Sequence, residues 1–140
     1  ETVGATVKSK KPNSKHVSRE LTGIGSWSFE ADDIIAFARA FDPQPFHLSE
    51  GGGRASLFGG LCASGWHTTA AWLRLYREQQ QDMRPIAELR DISWRKPVMA
   101  GSTISFFAAT EPDGDATAGE ARLPSGETIF RANVYFGDAS

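Results

Sequence analysis

The first patterned stretch, Leu21–Phe29 (Leu-Thr-Gly-Ile-Gly-Ser-Trp-Ser-Phe), mixes apolar and small polar residues as a strand kinked by its glycines does. Glu30, Asp32 and Asp33 follow, and then Ile34, Phe37, Ala38 and Phe41 fall at i, i+3, i+4 and i+7. That spacing predicts a helix with one apolar face and carboxylates at its positive end. Pro43 and Pro45 lack backbone donors and restrict the residues before them, so the helix stops near Asp42 and residues 42–47 form a stiffened loop. Gly51, Gly52 and Gly53 then let the chain turn sharply or stay mobile; they lack the ending and spacing of a phosphate loop. Over residues 64–81, Trp66, Ala70, Leu73 and Tyr76 repeat at helical spacing, while Ala71, Trp72 and Leu75 make the other side apolar too. A long helix buried on most sides is expected, with Ser64 as its N-cap and the Gly65 amide projecting from its start. After Pro85, residues 87–94, 103–109, 116–123 and 127–136 read as strands. The last is the clearest: Phe130, Ala132, Val134 and Phe136 alternate with Arg131, Asn133 and Tyr135. The order of strand, helix, loop, long helix and consecutive strands points to an α+β domain with one antiparallel sheet and segregated helices.

At 140 residues there is room for one core. Residues 1–19, with Lys8, Lys10, Lys11, Lys15 and Arg19 among Ser, Pro and Asn, read as a flexible basic tail, and residues 20–140 as a single domain. Fifteen Lys and Arg against 17 Asp and Glu give a net charge of −2, which argues against nucleic acid as a partner. The single cysteine, Cys62, excludes an internal disulfide and falls short of the two thiolates that most structural zinc sites use. No run reaches the roughly 20 apolar residues of a membrane span, and no apolar signal-peptide core opens the chain. A cytoplasmic protein with no membrane partner is the default expectation.

Asp42 and His47 stand at the two ends of the proline-stiffened loop, close enough in sequence to converge. An imidazole beside a carboxylate that orients it is a common device for activating water. A loop aspartate with a nearby surface histidine also occurs by chance, and the pair by itself leaves that alternative open. The surrounding residues are more specific. Phe37-Ala-Arg-Ala-Phe-Asp-Pro-Gln-Pro-Phe-His47 resembles the hydratase signature of the MaoC-like acyl dehydratases, also called (R)-specific enoyl-CoA hydratases. Arg54-Ala-Ser-Leu-Phe-Gly-Gly-Leu-Cys-Ala-Ser-Gly-Trp-His67 is similar to the family's approach to its central helix, and Trp94-Arg-Lys-Pro-Val-Met-Ala-Gly101 to a later strand entry. The motifs keep the family's order over residues 29–103, about half the chain. The sequence departs from the family pattern at Phe41, Gln44, Gly53 and Ser102, none of which removes a catalytic group.

The resemblance implies a hot-dog fold, a curved antiparallel sheet wrapped around one long central helix. It implies hydration of a trans-2-enoyl thioester to a 3-hydroxyacyl thioester, or the reverse, without a cofactor. The family's catalytic pair maps onto Asp42 and His47, which hold and activate the water. The start of the long helix, Ser64 and Gly65, is expected to bind the substrate carbonyl, with the Gly65 amide as oxyanion donor. The expected partner is an acyl-CoA or acyl-carrier-protein thioester. Two other functions remain in view: thioester hydrolysis on the same fold, and a non-catalytic acyl-thioester-binding module.

The remaining candidates have plain structural readings. His67 is expected to be a helical histidine satisfied by a neighbouring carbonyl, and Cys62 a small packing residue without an adjacent base. His16 belongs to the tail. A metal site from His47, His67 and a carboxylate lacks ligand spacing, so none is expected. Arg54, Arg74, Arg77, Arg95 and Lys96 are all available to meet phosphates, and the sequence does not rank them.

A fold this small leaves sheet edges open, and the resemblance implies a dimer, so a homodimer or dimer-based oligomer is expected. Sedimentation equilibrium at micromolar concentration should give at least twice the 15.2 kDa chain mass. Fully active protein that stays at the single-chain mass would overturn this.

Overall fold

The kinked pattern at Leu21–Phe29 forms β1, and the acidic turn after it starts α1 (Ala31–Phe41), which buries Ile34 and Ala38. The computed structural model describes residues 20–109 and 116–138. The segment read as a basic tail, with His16, lies outside the described residues. The chain continues through α2 (Pro45–Leu48), α3 (Glu50–Arg54), β2 (Cys62–Ala63) and α4 (Gly65–Gln80). It then runs through β3 (Ile86–Trp94), β4 (Val98–Met99), β5 (Ser102–Ala109), β6 (Ala116–Arg122) and β7 (Thr128–Phe136).

Two short helices occupy the segment expected to be loop. Pro45 sits at the first position of α2, where its missing N–H costs no helical hydrogen bond. Ser49 caps α3 by accepting from the Gly52 amide at 2.9 Å. The glycines of α3, expected to loosen the chain, instead permit contact: a Cβ on Gly53 would collide with the Gly60 carbonyl. That contact offsets the poor helix propensity of glycine.

β1-β5-β6-β7-β3 is the order of a five-stranded antiparallel sheet, and β2 pairs with β4 in a separate ladder. The expected curved sheet wrapped around one long central helix is therefore corrected. The sheet is neither curled nor closed: β1 and β3 are its two ends and do not pair with each other. The bending that glycine suggested is local, confined to register shifts such as Gly23/Gly25 in β1 and Arg90/Ser93 in β3. What holds is an α+β, hot-dog-like arrangement of an antiparallel sheet with helices.

One layer of strands covers one side of a helix. α4 lies against β1, β5 and β6 and buries His67, Thr68, Thr69, Ala71, Trp72 and Tyr76. Its expected burial on most sides is corrected accordingly, since Trp66 remains 42% exposed and Ala70 is exposed. Trp66 and Leu73, with Phe37 and Phe41 of α1 and Ile86, Leu89, Phe130 and Val134 of β3 and β7, line an apolar groove of about 580 Å³ between α4 and that end of the sheet. Among the described residues, no helix is long and apolar enough to cross a membrane.

Trp72 anchors α4 to the sheet. Its indole N–H donates to the Phe107 carbonyl at 2.8 Å, it stacks on Tyr76, and its ring occupies the place of a side chain at Gly119 of β6. Around it Phe29, Phe106 and Phe130 are fully buried. Gly119→Val should therefore displace a core indole and cost about 1–3 kcal/mol, as overpacking does. Thermal denaturation checks this; an unchanged Tm would show that Trp72 does not need that space.

Candidate active site

The stop of α1 places the first group. Asp42 caps the helix with φ −155°, its amide donating to the Ala38 carbonyl at 2.8 Å, so its carboxylate leaves the helix end toward the start of α4. Gln44 Nε2 donates to Asp42 Oδ1 at 2.9 Å and Ser64 Oγ donates to Oδ2 at 2.7 Å. Ser64 Oγ also accepts from the Trp66 amide at 3.1 Å, as the N-cap of α4. Both sides of the Ser64 hydroxyl are thus engaged by protein.

His47 is carried by α2 and is 5% exposed. Its Nδ1 stands 2.7 Å from the Cys62 carbonyl oxygen of β2. A carbonyl only accepts, so Nδ1 bears the proton, and in the neutral ring Nε2 carries the lone pair. Nε2 faces Asp42 Oδ2 at 3.6 Å, too long for a direct hydrogen bond, so the two act as separate acceptors directed at shared space. Asp42, His47 and Gly65 line one cavity of about 300 Å³, together with Phe46, Phe58, Trp94 and Arg95.

The start of α4 forms the opposite wall. Gly65 is its first residue, and the first amides of a helix have no partner within it. A Cβ on Gly65 would collide with the Trp94 indole, which also meets Trp66 edge-on at 4.8 Å. The Thr69 hydroxyl holds this packing, donating to the Gly65 carbonyl at 2.9 Å and accepting from Trp94 Nε1 at 3.2 Å.

Of the sequence candidates, Asp42, His47, Ser64 and Gly65 come together, Ser64 beneath the carboxylate rather than on the cavity wall. The Cys62 thiol is buried, and burial pushes its pKa up to about 11, which suits a packing residue. His67 differs from its expectation. It stacks on Phe37 at 4.5 Å and meets Phe29 edge-on at 5.0 Å, and its buried Nδ1 has no hydrogen-bond partner among the described residues. The rings of α1 and β1 pack against the imidazole instead. Among the described residues, no three His, Cys, Asp or Glu side chains cluster as a metal site. Sequence reasoning missed the donor role of Gln44, for which its position two residues after Asp42 was the available signal. It also missed the Cys62 carbonyl, for which no residue-type signal exists, because every residue carries one.

A model of the family described as MaoC like domain matches residues 3–122. Among solved structures, the chain is similar to the MaoC-like dehydratase from Rhodospirillum rubrum, with 30% identity, TM-score 0.70, and coverage of 90% of this chain and 97% of that one. It is also similar to an (R)-hydratase from A. caviae involved in PHA biosynthesis, at 16% identity and TM-score 0.70 over 87% of this chain and 96% of that one, a likeness of fold. Among curated proteins it matches the uncharacterized protein YdeM of Bacillus subtilis (strain 168), 36% identical over 70 residues. That match covers 48% of this chain and 50% of YdeM, so the chain spans about half the length of that relative.

Burial draws the His67 imidazole below its ordinary 6.5, against the opposing field of Asp33. The unfolded chain then binds a proton that the folded chain refuses, so stability is lost as pH falls from 6.5 through the lowered folded value. Between about pH 7 and about pH 5.5, the Tm of the wild type should fall more steeply than that of His67→Phe. Parallel curves would remove His67 from the acid response.

Proposed function

The chain belongs to the MaoC-like domain family, and on that premise we propose that it adds water to a trans-2-enoyl thioester to give a 3-hydroxyacyl thioester, or catalyses the reverse. The observation that carries this is the pairing of His47 Nε2 and Asp42 Oδ2, 3.6 Å apart, in a cavity that also receives the start of α4. Asp42, held by Ser64 and Gln44, orients the water. His47 Nε2 takes one of its protons as the water oxygen bonds to C3 of the enoyl group. Electrons of the double bond move toward the thioester, whose oxygen gains negative charge and accepts from the Gly65 amide at the positive end of α4. The proton on Nε2 then passes to C2, leaving the imidazole neutral. Ser64 acts here by positioning Asp42, and no step calls for a cofactor.

The same site is available to thioester hydrolysis, and product analysis separates the two reactions. A homodimer remains part of the proposal, supported by the apolar groove beside Phe41, which is 71% exposed.

Wild-type protein should consume the enone absorbance of crotonyl-CoA or a longer or branched enoyl-CoA without releasing free CoA. Asp42→Asn and His47→Ala should each lower that rate by at least about a hundredfold, while both variants keep a near wild-type Tm. Gly65→Val should impair turnover as well, because the Trp94 indole must move across the amide. Near wild-type turnover in either of the first two variants would refute the pair, and free CoA released with the double bond intact would mark a thioesterase.

A further inference from the structure

The register shift between Arg90 and Ser93 in β3 places Asp91 at φ 56° and leaves both Ile92 and Ser93 buried. A bulge of this kind re-aims the residues after it. Here those residues are Trp94, which packs on Gly65, and Arg95, which lines the catalytic cavity. Arg95 also lines a second depression of about 410 Å³, formed with Asp91, Ser93, Glu120, Arg131 and Asn133 on β3, β6 and β7. It is exposed, whereas His47 is buried, so it stands at the mouth of the catalytic cavity, where the two spaces meet.

The other basic residues here are already engaged. Lys96 pairs with Glu127 at 3.2 Å, Arg90 with Glu88, and Arg122 and Arg131 share Glu120. Asp91 accepts from Asn133 at 3.0 Å. Farther away, Arg54 and Arg74 pair with Glu50 and Glu78, and Arg77 is held by the carbonyls of Asp82 and Arg84. Among the described residues, Arg95 has no carboxylate partner. Its Nε donates to Ser93 Oγ at 3.1 Å and its backbone amide to the Ile129 carbonyl at 2.8 Å, which steadies the stem and leaves the outer guanidinium nitrogens available.

We propose that Arg95 is a specificity-determining residue that binds the phosphate of a phosphopantetheine thioester carrier where the carrier leaves the catalytic cavity. The proposal rests on the site acting on a thioester. A planar guanidinium matches phosphate oxygens with paired donors, and its place at the mouth suits the carrier rather than the reacting acyl end. The second depression gives the part of the carrier beyond the phosphate, nucleotide or protein, a polar surface to follow.

The test compares crotonyl-CoA with crotonyl-pantetheine, which has the same acyl thioester without phosphate. In Arg95→Gln, the ratio of kcat/KM on crotonyl-CoA to that on crotonyl-pantetheine should fall by about tenfold or more, through KM, as loss of a charged hydrogen bond predicts. Arg95→Lys should recover part of it. An unchanged ratio overturns the proposal. Calorimetric binding of CoA alone keeps this separate from the hydration reading. Binding that weakens in Arg95→Gln, even where neither thioester is hydrated, upholds the anion site while the reaction fails. Binding that is absent in the wild type, or unchanged in the variant, refutes the anion site whatever the turnover. Free 4′-phosphopantetheine distinguishes the sources: binding that depends on Arg95 assigns the ester phosphate common to both carriers, and dependence seen with CoA alone assigns its nucleotide phosphates.

Discussion

The Ser64 hydroxyl joins the end of α1 to the start of α4. It accepts from the Trp66 amide to start α4 and donates a hydrogen bond to Asp42 at the end of α1. One small polar side chain, 1% exposed, thereby fixes the distance between a carboxylate and the positive end of a helix. Everything in the candidate site is measured from that joint. Gln44 steadies the other carboxylate oxygen, and α2 brings His47 in from the side with its proton already committed to the Cys62 carbonyl. A site built this way is held in place before any ligand arrives, because its donors are spent on holding its acceptors.

The sheet supplies the rigid wall against which this joint is set. β2 pairs with β4, which places the Cys62 carbonyl under His47, and the bulged β3 carries Trp94 onto Gly65. Glycine recurs where aromatic rings or backbone must approach closely: Gly119 under Trp72, Gly65 under Trp94, Gly53 against Gly60. These contacts set α4 on the sheet and α3 on the loop after it. They also explain why a glycine-rich stretch is helical here rather than loose.

Since the sheet is an open single layer, α4 has a covered face and an uncovered one. The covered face holds Trp72 and Tyr76, and the buried His67, whose Nδ1 has no hydrogen-bond partner among the described residues, sits among the aromatic rings of α1 and β1. Trp66 and Leu73, together with β3 and β7, line an apolar groove next to the cavity of the candidate site. Covering that groove would bury apolar surface, which gives association a physical motive in the same part of the molecule as the candidate site.

The sequence by itself determined the local elements. Periodicity marked α1, α4 and the later strands to within a residue or two; the prolines placed the stop at Asp42, and the spacing of Asp42, His47, Ser64 and Gly65 within family-like motifs marked the candidate site. These are short-range properties, set by side-chain pattern and by backbone restriction at proline. Only the tertiary structure decided that the sheet stays open, that α4 is buried on one side, and that α3 is a helix. The same holds for the His47 tautomer, which depends on a carbonyl 15 residues away, and for the His67 Nδ1, which has no hydrogen-bond partner among the described residues. It also decided that Arg95, at the edge of the cavity, has no carboxylate partner among the described residues. Each of these depends on which backbone groups and side chains from distant segments share one small volume, and residue type alone does not encode that.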